Sequence, residues 1–118
     1  MGKRPDRLRQ PKEFAAGLST RPIGRSGAFL VHVTRPQDRF RLGFILPKRF
    51  VKKAVVRNVI KRWAREVFRR ELCTSPDYGN VIVRIRQPLD VKDWKTRGRK
   101  ETREHLQVAL RAVMTTRH

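Results

Sequence analysis

Negative charge is what this sequence lacks most. Ten Asp and Glu stand against thirty Lys and Arg in 118 residues, a formal net charge of +20. Such an excess strains a compact state by self-repulsion and points to a polyanionic partner, nucleic acid first and an anionic membrane second. The few acids are scattered, whereas metal-dependent nucleases cluster carboxylates around their cations. Only Asp90 with Asp93, and Glu101 with Glu104, are close pairs, and both read as flanks of the last helix. Cysteine is nearly absent. The single Cys73 allows no intrachain disulfide and no zinc site built on cysteine pairs, and reads as a buried or half-buried thiol. Long apolar runs are missing too. Nothing approaches the roughly 18 residues a membrane span needs, and Met1–Arg7 lead into no apolar signal segment, so the expectation is a soluble, cytoplasmic protein. No phosphate-cradling glycine loop or nucleophile elbow occurs. Acid–base cleavage of RNA would need two histidines together, and nothing in the sequence unites His32 with His105.

The remaining composition fits one domain with a modest core, at 38% hydrophobic residues. Residues 1–10 are basic and aperiodic and read as a flexible arm, with a single domain over 11–118. A short helix is expected from Pro11, with Phe14 and Leu18 on one face. Residues 19–27, containing Pro22, Gly24 and Gly27, read as a loop. Residues 28–34 and 40–46 read as two strands hairpinned through a turn at 35–39, with Pro47 closing the second. A long helix follows over about 52–72. Residues 81–86 form a third strand, buried at its start and closed by Pro88. Trp94 is the expected core anchor of a polar stretch, and a final helix over 101–114 turns Leu106, Ala109, Leu110 and Val113 to one side. The order α-β-β-α-β-α suggests an α/β two-layer sandwich, helices over a small sheet.

The long helix carries the functional signal. At about 100° per residue, Val56, Ile60, Trp63, Ala64 and Val67 share one apolar face. Arg57, Asn58, Lys61, Arg62, Arg65 and Arg69 share the other, while Glu66 and Glu71 fall off it and Phe68 sits at the border. An ordinary solvated helix face mixes signs, because i,i+4 pairs of opposite charge favour the helix and like pairs disfavour it. Arg57, Lys61, Arg65 and Arg69 are instead a like-charge ladder that costs helix stability unless something anionic lies against it. Lys48, Arg49, Lys52 and Lys53 extend the positive surface. Guanidinium suits phosphate because it donates two parallel hydrogen bonds. Asn58 can donate and accept, toward a ribose hydroxyl, a base edge or metal-bound water. Arg84 and Arg86, two apart on a strand, project from one face, as a second anion contact or as a solvated sheet face.

The run Phe44-Ile45-Leu46-Pro47-Lys48-Arg49, continued by Ala54-Val55-Val56-Arg57-Asn58-Val59-Ile60-Lys61-Arg62-Trp63-Ala64-Arg65-Glu66-Val67-Phe68-Arg69, resembles the bacterial ribonuclease P protein subunit. About a dozen positions match in fixed spacing, and length, basicity and element order fit the rest of the chain. The resemblance implies a small mixed sheet with a left-handed βαβ crossover, of the kind in the second domain of a small-subunit ribosomal protein, an exception to the right-handed rule. It implies a one-to-one partnership with a catalytic RNA, ribonuclease P RNA, and removal of the 5′ leader from precursor tRNA, with the bond broken by the RNA. It implies magnesium, bound mainly by RNA and substrate. Carried over by position, Lys48, Arg49, Lys53, Arg57, Asn58, Lys61, Arg62, Arg65 and Arg69 face the catalytic RNA. Phe14, Leu18, Phe29 and His32, with Arg84 and Arg86, fall where a cleft holds the single-stranded leader. Val59 stands where a second arginine is usual, Leu18 where Phe is common and His32 where Tyr is common; Leu18 offers a base only apolar contact, while His32 can still stack. A ribosomal or general RNA-binding protein, a stand-alone basic nuclease and a DNA-binding protein are the competing readings, set apart only by the spacing of the signature.

Overall fold

The protein is seen here as a computed structural model that describes residues 6–7, 20–33, 41–72, 80–89 and 94–115. Five strands, β1 (Asp6–Arg7), β2 (Gly24–Ser26), β3 (Phe29–Val33), β4 (Arg41–Ile45) and β5 (Asn80–Ile85), form one sheet in the order β1-β4-β5-β3-β2. Two helices accompany it. The first, α1 (Ala54–Val67), runs on into a π-helical turn at Phe68–Leu72. The second, α2 (Arg99–Thr115), is preceded by a π-helical turn at Trp94–Gly98. The expected arrangement of helices on a small mixed sheet is present. The opening helix with Phe14 and Leu18, the turn at 35–39 and Cys73 lie outside the described residues.

Three sequence expectations change. The two strands expected as a hairpin, β3 and β4, do not pair; β5 inserts between them, antiparallel to β3 and parallel to β4. The reason is the run Val81-Ile82-Val83, in which all three side chains are fully buried. A strand apolar on both faces belongs in the middle of a sheet. Joining β4 to a parallel neighbour then requires a crossover, and α1 supplies it. The supposed loop before β3 contains β2, which makes a hairpin with β3 through Gly27-Ala28. Gly27 has φ +56°, and no residue other than glycine has positive φ among those described. Glycine first and a negative-φ residue second is the II′ turn, whose twist suits a two-residue hairpin. Within the segment expected as a basic arm, Asp6–Arg7 pair in parallel with β4 as an edge strand.

Strand alternation divides the sheet into two faces. Phe29, Val31, Val33, Leu42, Val81, Val83 and Ile85 join the core shared with the helices. From α1 come Val56, Ile60, Trp63, Ala64 and Val67, the set its periodicity selects. Phe68, at the border of that face, is 1% exposed. From α2 come Leu106, Ala109, Leu110 and Val113, all fully buried. Trp94 packs half-buried against the same core, its ring 5.9 Å from that of Trp63. Leu30, His32, Ile82 and Arg84 project from the opposite face, as the pairs Leu30–Arg84 and His32–Ile82 require.

Candidate nucleic-acid interface

With its apolar side committed to the core, α1 turns its cations outward. Asn58, Arg62 and Arg69 are exposed; Arg57, Lys61 and Arg65 are half-buried. Lys48, Arg49 and Lys53 are exposed just before the helix. The Arg49 guanidinium sits 4.7 Å from the Phe50 ring centre, which holds its stem while leaving its N–H edge outward. The nine residues assigned to the RNA face are thus gathered along α1, just before it and in the turn that follows it.

Arg57 has a second task. Its Nη1 donates to the Val51 carbonyl at 2.6 Å and to the Lys52 carbonyl at 3.1 Å. Lys53, at the N-cap, supplies no capping bond from its side chain, so the entry to α1 is tied down from within the helix instead. Val59 is half-buried and packs on the core edge, the apolar side to which its wheel position assigns it. The acids off the cationic face join the helices: Arg111 Nε lies 3.2 Å from Glu71 Oε1, and Arg103 Nη2 lies 4.0 Å from Glu66 Oε2.

The second group of site residues is divided by the sheet. Three residues apart on one strand, Phe29 and His32 point to opposite faces. Phe29, expected by position at a leader cleft, is 1% exposed inside the core, so reaching a base would empty a core position. His32 and Arg84 lie together on the face away from α2, and Arg86 is exposed just past β5. His105 sits on α2, where its Nδ1 is 2.7 Å from Ser26 Oγ, so the fold does not unite the two histidines. Among the described residues, no three of His, Cys, Asp and Glu come together as metal ligands.

His32 is 3% exposed; its Nδ1–H donates to the Thr20 carbonyl at 3.1 Å, and its Nε2 has no partner among the described residues. Burial pushes its pKa below 6.5; the Thr20 bond opposes this and Arg84 adds to it. The folded imidazole therefore takes up a proton less readily than the unfolded chain, which does so as the pH falls below about 6.5. Stability is full above that value and declines as pH falls toward the folded pKa. Melting from about pH 7.5 to about pH 5.5 is expected to show a fall in Tm that His32→Asn, which keeps a donor for Thr20, largely removes. An equal fall in both proteins would assign the effect to other groups.

Comparison with known proteins now decides the family. The model of the ribonuclease P family matches residues 2–111. The chain belongs to the ribonuclease P protein family. It is 41% identical over 91 residues to the ribonuclease P protein component of Bordetella parapertussis, covering 70% of this chain and 72% of that one. It is 35% identical over 107 residues to that of Bordetella avium, covering 84% and 87%. The ribonuclease P protein of Staphylococcus aureus superposes with TM-score 0.60 at 28% identity over 92% of each chain. That of Thermotoga maritima superposes with TM-score 0.57 at 30% identity, over 86% of this chain and 91% of its own. The sheet order and the crossover through α1 are therefore seen here in a chain of the ribonuclease P protein family.

Proposed function

We propose that this chain is the protein subunit of ribonuclease P, binding one catalytic RNA through the outer face of α1 and assisting removal of the 5′ leader from precursor tRNA in the cytoplasm. The observation that carries the reading is the cationic face itself. Arg57, Lys61, Arg65 and Arg69 repeat every four residues over a helix whose other side is wholly committed to the core. Like charges at that spacing favour an anion laid against the face, and RNA phosphates are the anion the family supplies. Arg62 and Arg65 would take phosphates through their guanidinium edges, and Asn58 a ribose hydroxyl or base edge. Arg84 and Arg86, on the other side of the sheet, would meet the leader, with the buried His32 beside Arg84 rather than stacked on a base.

The chemistry assigned to the protein is electrostatic. Cations between two RNAs lower their mutual repulsion, and contacts to the leader favour precursor over mature tRNA, because the mature product lacks the contacted part. Bond cleavage belongs to the RNA. Magnesium belongs there too: a hard dication takes oxygen ligands from carboxylates, phosphates and water, whereas the surface described here is cationic. No helix among the described residues is long and apolar enough to cross a membrane.

The deciding experiment adds the chain to a bacterial ribonuclease P RNA and precursor tRNA at low magnesium. Cleavage at the mature 5′ end is expected to be stimulated, and the stimulation to weaken with Arg62→Ala, most at low salt and less as salt rises, because the variant neutralises one phosphate fewer. Absence of stimulation by the folded wild-type chain would leave only a general RNA-binding protein. Cleavage by protein freed of RNA would reassign the bond-breaking step to the chain.

A further inference from the structure

The flank of α2 that faces α1 carries a line of arginines whose acidic partners run out toward one end. Arg111 is held by both carboxylate oxygens of Glu71, at 3.2 and 3.4 Å. Arg103, two turns earlier, reaches Glu66 only at 4.0 Å, with both side chains well exposed. Arg99, one turn earlier still, has no carboxylate within ion-pair distance among the described residues. What Arg99 and Arg103 share is a ring. Each guanidinium carbon lies 5.8 Å from the centre of Trp63, itself 4% exposed.

This is a poor device for joining helices. An ion pair at 4.0 Å in solvent contributes little, and 5.8 Å is the outer reach of a cation–π contact. Two guanidinium groups over one ring also repel each other, and Arg99 and Arg103 are a like-charge i,i+4 pair on their own helix. The same arrangement is well made for binding. Contact with an indole steadies the stem and leaves the planar N–H edge free, so less freedom is lost when an anion arrives. Trp63 lies on α1 directly after Arg62, and Glu66 separates the two sets of cations by a single side chain. The positive surface of α1 therefore continues onto α2.

We infer that Arg99 and Arg103, steadied by Trp63, form a second phosphate-binding site that takes the backbone of the same RNA bound by α1. This rests on the reading of α1 as an RNA surface and widens it from one helix to two. Two backbone positions would be engaged, one by each guanidinium. The contact is to phosphate, so it contributes affinity and orientation rather than base readout.

The test measures affinity of the full-length chain for a bacterial ribonuclease P RNA over a salt series. Arg99→Gln with Arg103→Gln keeps a stem on the ring and removes both charges. This pair is expected to bind about tenfold more weakly and to flatten the salt dependence by about 1.5 in log–log slope, the share of two phosphates. Arg99→Lys with Arg103→Lys should keep the slope while losing part of the affinity, because ammonium lacks the fork. Arg62→Ala is the control for α1. Weakened binding by Arg62→Ala, with wild-type affinity and slope in the glutamine pair, would overturn the second site and leave the first standing. Unchanged binding in both would overturn the first as well. Thermal melts separate misfolding from lost contact; should the glutamine pair melt early, the lysine pair decides, and wild-type affinity in it would overturn the fork. Titration with precursor tRNA alone distinguishes the source of the phosphate, and a loss confined to that titration would also overturn the proposal.

Discussion

Gly24→Ala is expected to cost the fold more than any other single methyl group. A Cβ at Gly24 would overlap the Ala109 carbonyl oxygen and lie 2.9 Å from its carbon. The obstruction is backbone, so no rotamer change relieves it. Either β2 lifts from the sheet edge or α2 shifts, and α2 cannot shift alone because Leu106, Ala109, Leu110 and Val113 are fully buried around it. Overpacking of this kind costs about 3 kcal/mol, or a fall in Tm of about 10 °C for a domain of this size. Calorimetry or circular dichroism would show it. A Tm within about 2 °C of wild type would mean that β2 is not held against α2 as described.

Reversing the ladder of α1 should produce the opposite combination, a chain that folds as well or better and no longer binds. Lys61 is half-buried and Arg62 exposed, and neither fills the core. Lys61→Glu with Arg62→Glu removes two contacts of the proposed RNA face and places carboxylates there. Two charge-assisted hydrogen bonds at about 1.5 kcal/mol each amount to about a hundredfold in affinity before repulsion is added. Lys61→Glu also puts a carboxylate four residues from both Arg57 and Arg65, turning two repulsive i,i+4 pairs into attractive ones, while Arg62→Glu turns the one attractive pair with Glu66 repulsive, each worth a few tenths of a kcal/mol. RNA affinity should therefore fall by about two orders of magnitude while Tm stays level or rises. If both fall together, the helix has been damaged and the comparison says nothing for an RNA face; if affinity holds, the face is merely solvated.

How much of this the sequence reveals depends on whether a signal is local. The buried face of α1 is legible because five apolar positions recur at helical spacing and nothing competes with them. The same holds for α2. Strand neighbours are another matter: β3 and β4 are adjacent in sequence and alternate well enough to suggest a hairpin, and only the doubly apolar run at Val81–Val83 hints that a later strand separates them. β2 hides because three residues, one of them glycine, make no periodic pattern. Phe29 and His32 both fall by position at a binding cleft, yet their odd spacing places the two on opposite faces of any strand. Arg57 offers no warning of its bonds to Val51 and Lys52, since those depend on how the chain enters the helix. The Arg99–Arg103 pair does carry a local signal, the same like-charge spacing as α1, but the ring beneath it comes from another helix.

The central place of β5 bears on how the chain is made. Residues 80–85 follow more than two-thirds of the sequence, so β3 and β4 leave the ribosome without the strand that joins them. Until it arrives, their inner edges carry unpaired N–H and C=O groups, a template for pairing with other chains. The pairings of β5 with β3 and β4 then span long stretches of chain, which slows closure. A charge of +20 has a use in that interval: it keeps copies of the unfinished chain apart.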